Sequence, residues 1–274
     1  MVVPSKNWRT RQRALPSGSP CEADGPAVRP YRHSKFTVVS VRAGRYRAPI
    51  MLCKIKRLLA LAWRIARERR VTLAGLALVA AAGCVLILPH DQAWHQQIAT
   101  DEQPWHSIAQ QLSRWGDYWT GTLIITAALW LAGAAFHRPR WRTAALACLL
   151  GATLAGIEVN IVRFATGRPR PRANQPDGFY GPRFGDYCSF PSAHTTSAFA
   201  TAGSLAVALP PVGVPLLLGA GSVGWSRMCL SQHYPSDVWA GMWLGSLNGV
   251  VLGFAARRWR REDACGASSV KRGT

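Results

Sequence analysis

The chain has 274 residues, a formal net charge of +20 and a hydrophobic fraction of 49%, and its apolar residues are gathered into long runs. Such runs are typical of membrane-spanning helices and unlike the patterning of a soluble core. The positive charge raises the question of nucleic-acid binding. No zinc-finger, RNA-binding or helix-turn-helix signature accompanies it, so we expect no nucleic-acid partner.

Residues 1–50 are rich in Arg, Pro, Ser and Gly and show neither helical nor strand periodicity. This composition predicts a disordered basic N-terminal tail. Residues 51–70 form a basic amphipathic stretch, which predicts a cytoplasmic segment leading into the first apolar run. Because Met51 begins a much more ordinary sequence, the physiological start, Met1 or Met51, stays open.

Six apolar segments follow, and their composition predicts membrane-spanning helices. They cover residues 71–89, 119–136, 143–162, 195–209, 212–225 and 238–256. The fourth and fifth are shorter than the roughly 17 residues that a crossing needs, and Pro210 and Pro211 predict a tight turn between them. We therefore expect an all-α polytopic membrane protein whose six transmembrane helices form a bundle over residues 71–256.

Basic residues cluster before the first span, between the second and third spans, and after the sixth. The clusters are Lys54, Lys56, Arg57, Arg64, Arg67, Arg69 and Arg70, then Arg138, Arg140 and Arg142, then Arg257, Arg258, Arg260 and Arg261. With six crossings, all three lie on one side, which the positive-inside rule makes the cytoplasm. We expect both termini there, with residues 257–274 as a basic cytoplasmic tail and residues 90–118 and 166–194 outside.

The sequence S-R-M-C-L-S-Q-H-Y-P-S-D joins the last two apolar segments and contains Ser226, Arg227, His233 and Asp237. A neutral imidazole can attack phosphorus when a carboxylate holds its other ring nitrogen. Asp237 comes four residues after His233, one helical turn away, and such a pair fixes the tautomer and stabilises the cation that forms. The alternative is an interfacial histidine followed by an aspartate that caps a helix.

The sequence P-S-A-H, residues 191–194, opens the fourth apolar segment. Unpaired backbone N–H groups and the positive end of the helix dipole favour a phosphate at such a position, and Ser192 adds a hydroxyl donor. A protonated His194 can give its proton to a leaving oxygen and then accept one from water. The alternative is a plain helix cap.

The sequence R-F-A-T-G-R-P-R-P follows the third span and contains Arg163, Arg168 and Arg170. Guanidinium groups match phosphate oxygens bidentately and can stabilise a transferring phosphoryl group without a metal. The alternative is binding of lipid headgroups, but an arginine cluster outside the membrane runs against the positive-inside trend.

Other chemistries fit the sequence less well. Cys229 is not the nucleophile of a Cys-x5-Arg loop, because the sixth position after it is Pro235. The external acids and histidines show neither HExxH nor a close carboxylate cluster, so we expect no catalytic metal and no cofactor. Cys188 and Cys229 are the cysteines expected outside, and a disulfide between them stays open.

Together the motifs resemble the signature of the type 2 phosphatidic acid phosphatase superfamily, which is K-x6-R-P, then P-S-G-H, then S-R-x5-H-x3-D. The third motif matches at every fixed position, whereas Ala193 replaces the glycine of the second and Arg163 replaces the lysine of the first. The resemblance spans roughly residues 71–256 and implies a six-helix membrane phosphatase.

The resemblance also implies a role for each matching residue. It makes His233 the nucleophile, Asp237 its orienting partner, and His194 the general acid and base. It places around the phosphate Arg163, Arg170, Ser192, Arg227 and the backbone N–H of Ala193. Arginine at position 163 keeps the charge but turns a compact ammonium into a planar fork, so this departure bears on substrate preference.

We therefore expect a lipid phosphatase that removes a terminal phosphate or diphosphate at the external membrane face through a phosphohistidine. Candidate substrates are phosphatidic acid, phosphatidylglycerol phosphate, undecaprenyl diphosphate and lipid A, in no order. The simplest setting is a bacterial inner membrane with a periplasmic site, where the lipid bilayer and the lipid phosphate are the partners. Phosphotransfer to an acceptor hydroxyl and a non-catalytic lipid-binding role stay open, as does the oligomeric state.

Overall fold

The computed structural model describes residues 47–270, with side chains over residues 51–265, and every regular element in this range is helical. The long elements are α1 (Arg47–Glu68), α2 (Arg70–Ile87), α3 (Asp91–Ile98), α4 (Trp105–Gly116), α5 (Leu123–Ala135), α6 (Pro139–Thr166), α7 (Ala193–Ala208), α8 (Pro210–Cys229) and α9 (Pro235–Val270). The expected all-α fold is confirmed. The tail predicted over residues 1–50 lies outside the described residues except for the first residues of α1.

The chain divides into two compact units, Met1–Lys54 and Ile55–Thr274. Of the first unit the structure describes residues 47–54, which begin α1. The second unit contains the rest of α1 and all the polar motifs, so the site belongs to this unit alone.

Each of the six predicted spans coincides with one helix: α2, α5, α6, α7, α8 or α9. Four regions of the described chain are long and apolar enough to cross a membrane, namely Arg70–Ile98, Tyr118–Ala135, Pro139–Ala173 and Pro235–Cys265. Neither α7, which has 16 residues, nor α8 is among them. The polytopic helical architecture is confirmed, and a count of six crossings stays a prediction.

The turn between α7 and α8 lies one residue earlier than predicted. Helix α7 ends at Ala208 and α8 begins at Pro210, so the turn is at Leu209 and the two prolines occupy the first turn of α8. Proline fits there because the first backbone N–H groups of a helix have no intrahelical acceptor.

Residues 90–118, expected as an external loop, fold into helices α3 and α4. Helix α4 is two-faced: Ser113 and Gly116 are buried, whereas Trp115 is exposed. Its buried face packs on α7 and α8. A Cβ at Gly116 would lie 3.2 Å from the Cβ of His194, so α4 closes tightly over the start of α7.

Helices α7 and α9 pack backbone to backbone through a row of glycines in α9. The row is Gly241, Gly245, Gly249 and Gly253, which face the carbonyl oxygens of Ser192, Thr196, Ala200 and Ser204. A Cβ at these glycines would lie 2.6, 2.3, 2.4 and 2.7 Å from the oxygen that each one faces. Small residues at four-residue intervals let membrane helices approach this closely. This contact sets the separation between the first turns of α7 and α9, where the second and third motifs lie.

A buried apolar cluster joins α1 to α6, α7 and α9 at the other end of the bundle. Leu58, Cys148, Leu205 and Leu252 are among its most buried members. The cluster packs these helices together at the end of the bundle opposite the three polar motifs.

Candidate active site

The three polar motifs meet around one cavity of about 830 Å³. The first motif follows the C-terminal end of α6, the second opens α7, and the third joins α8 to α9. Of the predicted site residues, those that line the cavity are Arg163, Arg170, Ala193, His194 and His233. The other three, Ser192, Arg227 and Asp237, are buried and support this wall through the contacts described below.

His233 and Asp237 form a buried pair at the start of α9. The Nδ1 atom of His233 lies 3.6 Å from Oδ2 of Asp237, and the side chains are 1% and 0% exposed. The same Oδ2 accepts hydrogen bonds from the Ser189 hydroxyl at 2.6 Å and from the Tyr234 backbone N–H at 2.8 Å. Because Nδ1 faces the carboxylate and His233 also lines the cavity, Nε2 is the ring nitrogen available to a ligand.

Arg168, which the first motif offers beside Arg163 and Arg170 and which the family resemblance leaves out of the phosphate-binding set, does not line the cavity. Its side chain is fully buried, and its Nη1 donates to Oδ1 of Asp237 at 2.8 Å. Its Nη2 donates to Asp91 at 2.8 Å, and its Nε and Nη2 hold both carboxylate oxygens of Asp177 at 2.8 and 2.7 Å. The Tyr234 ring lies 4.3 Å from its guanidinium carbon. All its polar atoms are therefore occupied within the protein.

Asp91, from the start of α3, completes this network. It accepts a hydrogen bond from the Ser236 backbone N–H at 2.9 Å and another from the Ser236 hydroxyl. The Ser236 hydroxyl also accepts from Nη1 of Arg168 at 2.7 Å. One guanidinium thus ties the first turn of α9 to α3 and to the segment after α6.

His194, in the first turn of α7, precedes the predicted span 195–209 and lines the same cavity as His233. Burial, followed by the charge of Arg227, lowers the pKa of His194 to about 3. Burial also lowers the pKa of His233 to about 4, although Asp237 opposes that shift. Both imidazoles are therefore neutral at pH 7 unless a bound anion raises the pKa.

Arg163 stands where the family signature has lysine. Part of its guanidinium is hydrogen-bonded within the protein. Its Nε and Nη2 donate to the backbone carbonyl of Cys188 at 2.9 and 2.7 Å. Its Nη1 lies 3.5 Å from Oδ1 of Asn160 and is the part left for an anion in the cavity. A lysine has no such fork, so this residue both ties the loop before α7 and lines the cavity.

Arg170 and Arg227 are joined through Gln232. Its Oε1 accepts from Nη1 of Arg170 at 2.9 Å and from Nη2 of Arg227 at 3.4 Å. Nη1 of Arg227 donates to Ser113 of α4 at 2.6 Å. Among the described side chains, the Nε atoms of both arginines are buried without a hydrogen-bond partner. Such unpaired donors are costly unless an anion or water completes them.

Ser192 caps α7 behind the cavity wall. Its backbone N–H donates to the carbonyl of Asp237 at 3.0 Å, and its hydroxyl accepts from Thr195 at 2.9 Å. The side chain is fully buried, so the structure brings Ala193 and His194 to the cavity surface but not the Ser192 hydroxyl. The backbone bond instead links the second motif to the third.

Gly167 shapes the first motif. It ends α6 in the left-handed region, with φ of 54°, and a Cβ there would lie 1.8 Å from the carbonyl oxygen of Gly181. Only glycine fits both the backbone conformation and the space. The turn sends Arg168 inwards and leaves Arg170 at the cavity.

Cys188 and Cys229 are both free thiols, so the disulfide that the sequence left open is absent between them. The Cys188 thiol lies 3.6 Å from the Arg183 carbonyl, while Cys229 is buried at the end of α8.

The cavity wall changes character away from the arginines. Its apolar side is formed by Tyr118, Trp119, Ile157, Ile161 and Phe164. Trp119 is 72% exposed and Ile161 is 62% exposed, so this side opens towards the surface that a bilayer would cover. A polar pocket and an apolar slope therefore form one continuous cavity.

Sequence reasoning missed Asp91, Asp177, Ser189 and Gln232, all of which hold the site together. One signal was present for Asp91, because a carboxylate directly after a long apolar run needs a partner. The other three stand in loops, where the sequence carries no periodic pattern that would predict their contacts.

The chain is similar in sequence to known lipid phosphatases. Residues 143–261 match the sequence profile of the PAP2 superfamily. Decaprenylphosphoryl-5-phosphoribose phosphatase of Mycobacterium tuberculosis is 30% identical over 161 residues, which cover 57% of this chain and 84% of that protein. Lipid A 1-phosphatase of Rhizobium johnstonii is 32% identical over 106 residues, which cover 36% of this chain and 43% of that protein.

Among solved structures, a transmembrane PAP2 type phosphatidylglycerolphosphate phosphatase from Bacillus subtilis superposes with a TM-score of 0.51 at 22% identity. The match covers 69% of this chain and 96% of that one and supports the helical fold. Fold, sequence profile and relatives together define a membrane phosphatase. The chain belongs to the PAP2 superfamily, as its motifs led us to expect.

Proposed function

We propose that the chain hydrolyses the terminal phosphate or diphosphate of a membrane lipid through a phosphohistidine formed on His233. The observation that carries this proposal is the shared cavity of His194 and His233, beside two arginines with unpaired buried Nε atoms. A nucleophile, a proton carrier and anion-binding donors are thereby available to one phosphate group.

In the first step the Nε2 lone pair of His233 attacks phosphorus, and the bond from phosphorus to the lipid oxygen breaks. Arg163, Arg170, Arg227 and the start of α7, at Ala193, hold the negative charge, while Ser192 supports this turn from behind the cavity wall. Protonated His194 gives its proton to the leaving oxygen. Asp237 stabilises the cationic imidazole that His233 becomes.

In the second step a water molecule attacks the phosphohistidine. His194, now neutral, takes a proton from this water as the phosphorus–nitrogen bond breaks, and the lone pair returns to His233. The products are the lipid alcohol, or the lipid monophosphate from a diphosphate, and inorganic phosphate.

Because its pKa is low, His194 must gain its catalytic proton when the substrate binds. At about 3 this pKa leaves the imidazole neutral at pH 7. The negative charge of a bound phosphate raises the pKa, since a nearby opposite charge favours the protonated form. The substrate therefore prepares its own general acid, and proton uptake accompanies binding.

A lipid is the substrate class that fits the continuous cavity. A phosphate at the arginines leaves its hydrocarbon chain against Trp119, Ile157 and Ile161, which are exposed to the bilayer region. Similar proteins are phosphatases of decaprenylphosphoryl-5-phosphoribose, of undecaprenyl diphosphate and of lipid A, so polyprenyl-linked phosphates and lipid A are included with phosphatidic acid and phosphatidylglycerol phosphate.

The positive-inside rule supports a site that faces away from the cytoplasm. Arginines cluster at the start of α2 and near the end of α9, whereas the cavity lies at the start of α9. In a bacterial inner membrane this orientation makes the site periplasmic, with both termini cytoplasmic.

The test is phosphate release by purified protein from a panel of lipid phosphates. We expect His233→Ala and His194→Ala to abolish turnover, and His90→Ala, which changes an exposed histidine away from the cavity, to retain it. Retained turnover by His233→Ala in a clean preparation would refute the proposal.

Product analysis in ¹⁸O-labelled water separates hydrolysis from phosphotransfer. Hydrolysis places the label in inorganic phosphate, whereas transfer to an acceptor hydroxyl leaves a phosphorylated acceptor without it. An acid-labile, base-stable phosphoryl group on His233, trapped by alkaline quenching of the wild-type protein during turnover, would identify the intermediate.

A further inference from the structure

A second cavity, of about 620 Å³, lies between the end of α1, the start of α2 and the last membrane-embedded turns of α9. We call it the α1–α2–α9 pocket. Its residues include Arg69, Leu73, Phe254, Arg257 and Arg261. It shares no residue with the cavity of His194 and His233.

The pocket lies at the opposite membrane face from the active site. Asp237 and Arg257 belong to the same helix, α9, and their separation of 20 positions corresponds to a rise of about 30 Å. This length equals the thickness of a typical hydrocarbon core. A ligand in this pocket is therefore separate from the phosphate that the active site binds.

The pocket carries an excess of positive charge. Four arginines line it, with Glu68 as the acid among its lining residues. Both carboxylate oxygens of Glu68 are held by Nη1 of Arg258, at 2.9 and 2.8 Å. Within the described side chains Arg69, Arg257 and Arg261 have no carboxylate within 4.0 Å, so three guanidinium groups remain for an anion.

The remaining wall is apolar and continues to the bilayer-facing surface. Leu73 and Leu76 of α2 face Val250 and Phe254 of α9, and Phe254 is 42% exposed. A guanidinium rim above an apolar groove matches a molecule with an anionic phosphate at one end and hydrocarbon at the other. A soluble anion would use the rim and leave the groove uncovered.

We propose that the α1–α2–α9 pocket binds one anionic phospholipid of the cytoplasmic leaflet, with the phosphate at Arg69, Arg257 and Arg261. Its acyl chain lies in the groove between α2 and α9. The bound lipid then fills the gap between these helices and stabilises their packing.

The test uses the purified full chain in neutral detergent after removal of endogenous lipid. Phosphatidylglycerol, phosphatidylcholine and inorganic phosphate are added separately, and thermal unfolding and native mass spectrometry are measured. Phosphatidylglycerol carries a phosphodiester and so offers the active site no terminal phosphate. We expect it alone to raise the melting temperature and to remain bound.

Two triple variants of equal charge form the matched comparison. In the pocket variant, Arg69, Arg257 and Arg261 become Gln. In the control, the exposed residues Arg64, Arg67 and Arg70, which lie outside the pocket, become Gln. We expect the apparent Kd for phosphatidylglycerol to rise at least about tenfold in the pocket variant and less than about twofold in the control.

If both triple variants lose the same affinity for phosphatidylglycerol, the lipid is held by general charge attraction and the proposal is wrong. An equal stabilisation by inorganic phosphate, or an unchanged lipid affinity in the pocket variant, would also overturn the proposal. If the triple pocket variant does not fold, Arg261→Gln against Arg64→Gln repeats the comparison at single exposed residues, with the same two outcomes.

A second inference rests on Arg168 and on the function proposed above. We infer that Arg168 is a positioning residue that orients Asp237 against His233. Its Nη1 holds Oδ1 of Asp237, which leaves Oδ2 facing Nδ1 of His233. Asp91 and Asp177 hold the guanidinium in turn, and Arg168 does not line the cavity.

The variant Arg168→Gln separates positioning from phosphate binding. We expect kcat to fall about 10²-fold, as for a displaced catalytic group, while the affinity for inorganic phosphate stays within about twofold of the wild type. Arg170→Gln, which changes a cavity residue, should instead weaken phosphate binding. Asp91→Asn, which alters the network from the α3 side, should lower kcat to a smaller extent.

The outcomes distinguish this inference from the proposed function. If kcat and phosphate affinity fall together in Arg168→Gln, the residue is structural or binds phosphate, and the inference is wrong. If kcat is unchanged in Arg168→Gln while activity still depends on His233, the inference about Arg168 is wrong but the proposed function stands. If the activity does not depend on His233, both the inference about Arg168 and the proposed function are wrong.

Discussion

The substitution Gly245→Ala tests whether the glycine row of α9 sets the geometry of the active site. A Cβ at this position would lie 2.3 Å from the carbonyl oxygen of Thr196 in α7. To reach an ordinary contact of 3.4 Å the two helices must separate by about 1 Å. Carbonyl oxygens of a helix cannot rotate away singly, because each accepts a bond within its own helix.

The displacement acts on the site because α7 carries His194, and α9, which begins two residues after His233, carries Asp237. A catalytic group displaced by about 1 Å costs roughly 10²-fold in rate, and overpacking costs about 1–3 kcal/mol of stability. Alanine is intrinsically a better helix former than glycine by up to about 1 kcal/mol. Helix propensity alone therefore predicts that Gly245→Ala stabilises the protein, which is the opposite of the expected result.

The assay is kcat for phosphate release in detergent micelles, together with the melting temperature. The matched control is Gly221→Ala in α8, where a Cβ would have no atom within 4 Å. We expect Gly245→Ala to lose activity and stability and Gly221→Ala to lose neither. Equal behaviour of the two variants would refute the link between the glycine row and the site.

Three further predictions concern the cavity. Burial lowers the pKa of His233 to about 4, so the neutral nucleophile persists as pH falls; we expect the His233 ring of the substrate-free protein to titrate near pH 4 by NMR, and titration at the ordinary value of about 6.5 would contradict this. Because Cys188 and Cys229 are free thiols, both should be alkylated when the non-reduced protein is unfolded in iodoacetamide, and a peptide linked through these two cysteines would contradict this. Arg163→Lys should raise KM by up to about tenfold, since the fork on the Cys188 carbonyl is lost; an unchanged KM would show that the fork is dispensable.

Several features followed from local sequence alone. The apolar runs predicted helices α2, α5, α6, α7, α8 and α9, because hydrophobic length is read residue by residue. The third motif predicted the His233–Asp237 pair, since both residues lie within one turn of the start of α9. The family also followed from spacing, because the motifs keep their order along the chain.

Other features depended on residues that are far apart in the chain. Arg168 meets Asp91, 77 positions earlier, and Asp237, 69 positions later. The family signature pointed to Arg170, but no local pattern predicted where Arg168 would lie; packing turns Arg168 inwards and leaves Arg170 at the cavity. The folding of residues 90–118 into helices, with α4 over His194, was likewise missed.

The sequence by itself determined the fold class, the family and the residue types of the site, because hydrophobic runs and short motifs are local properties. Tertiary structure decided where Arg168 lies, which carboxylates hold its network and how closely α7 approaches α9. These depend on partners that the chain brings together only when the helices pack, and one missing Cβ, as at Gly245, sets their separation.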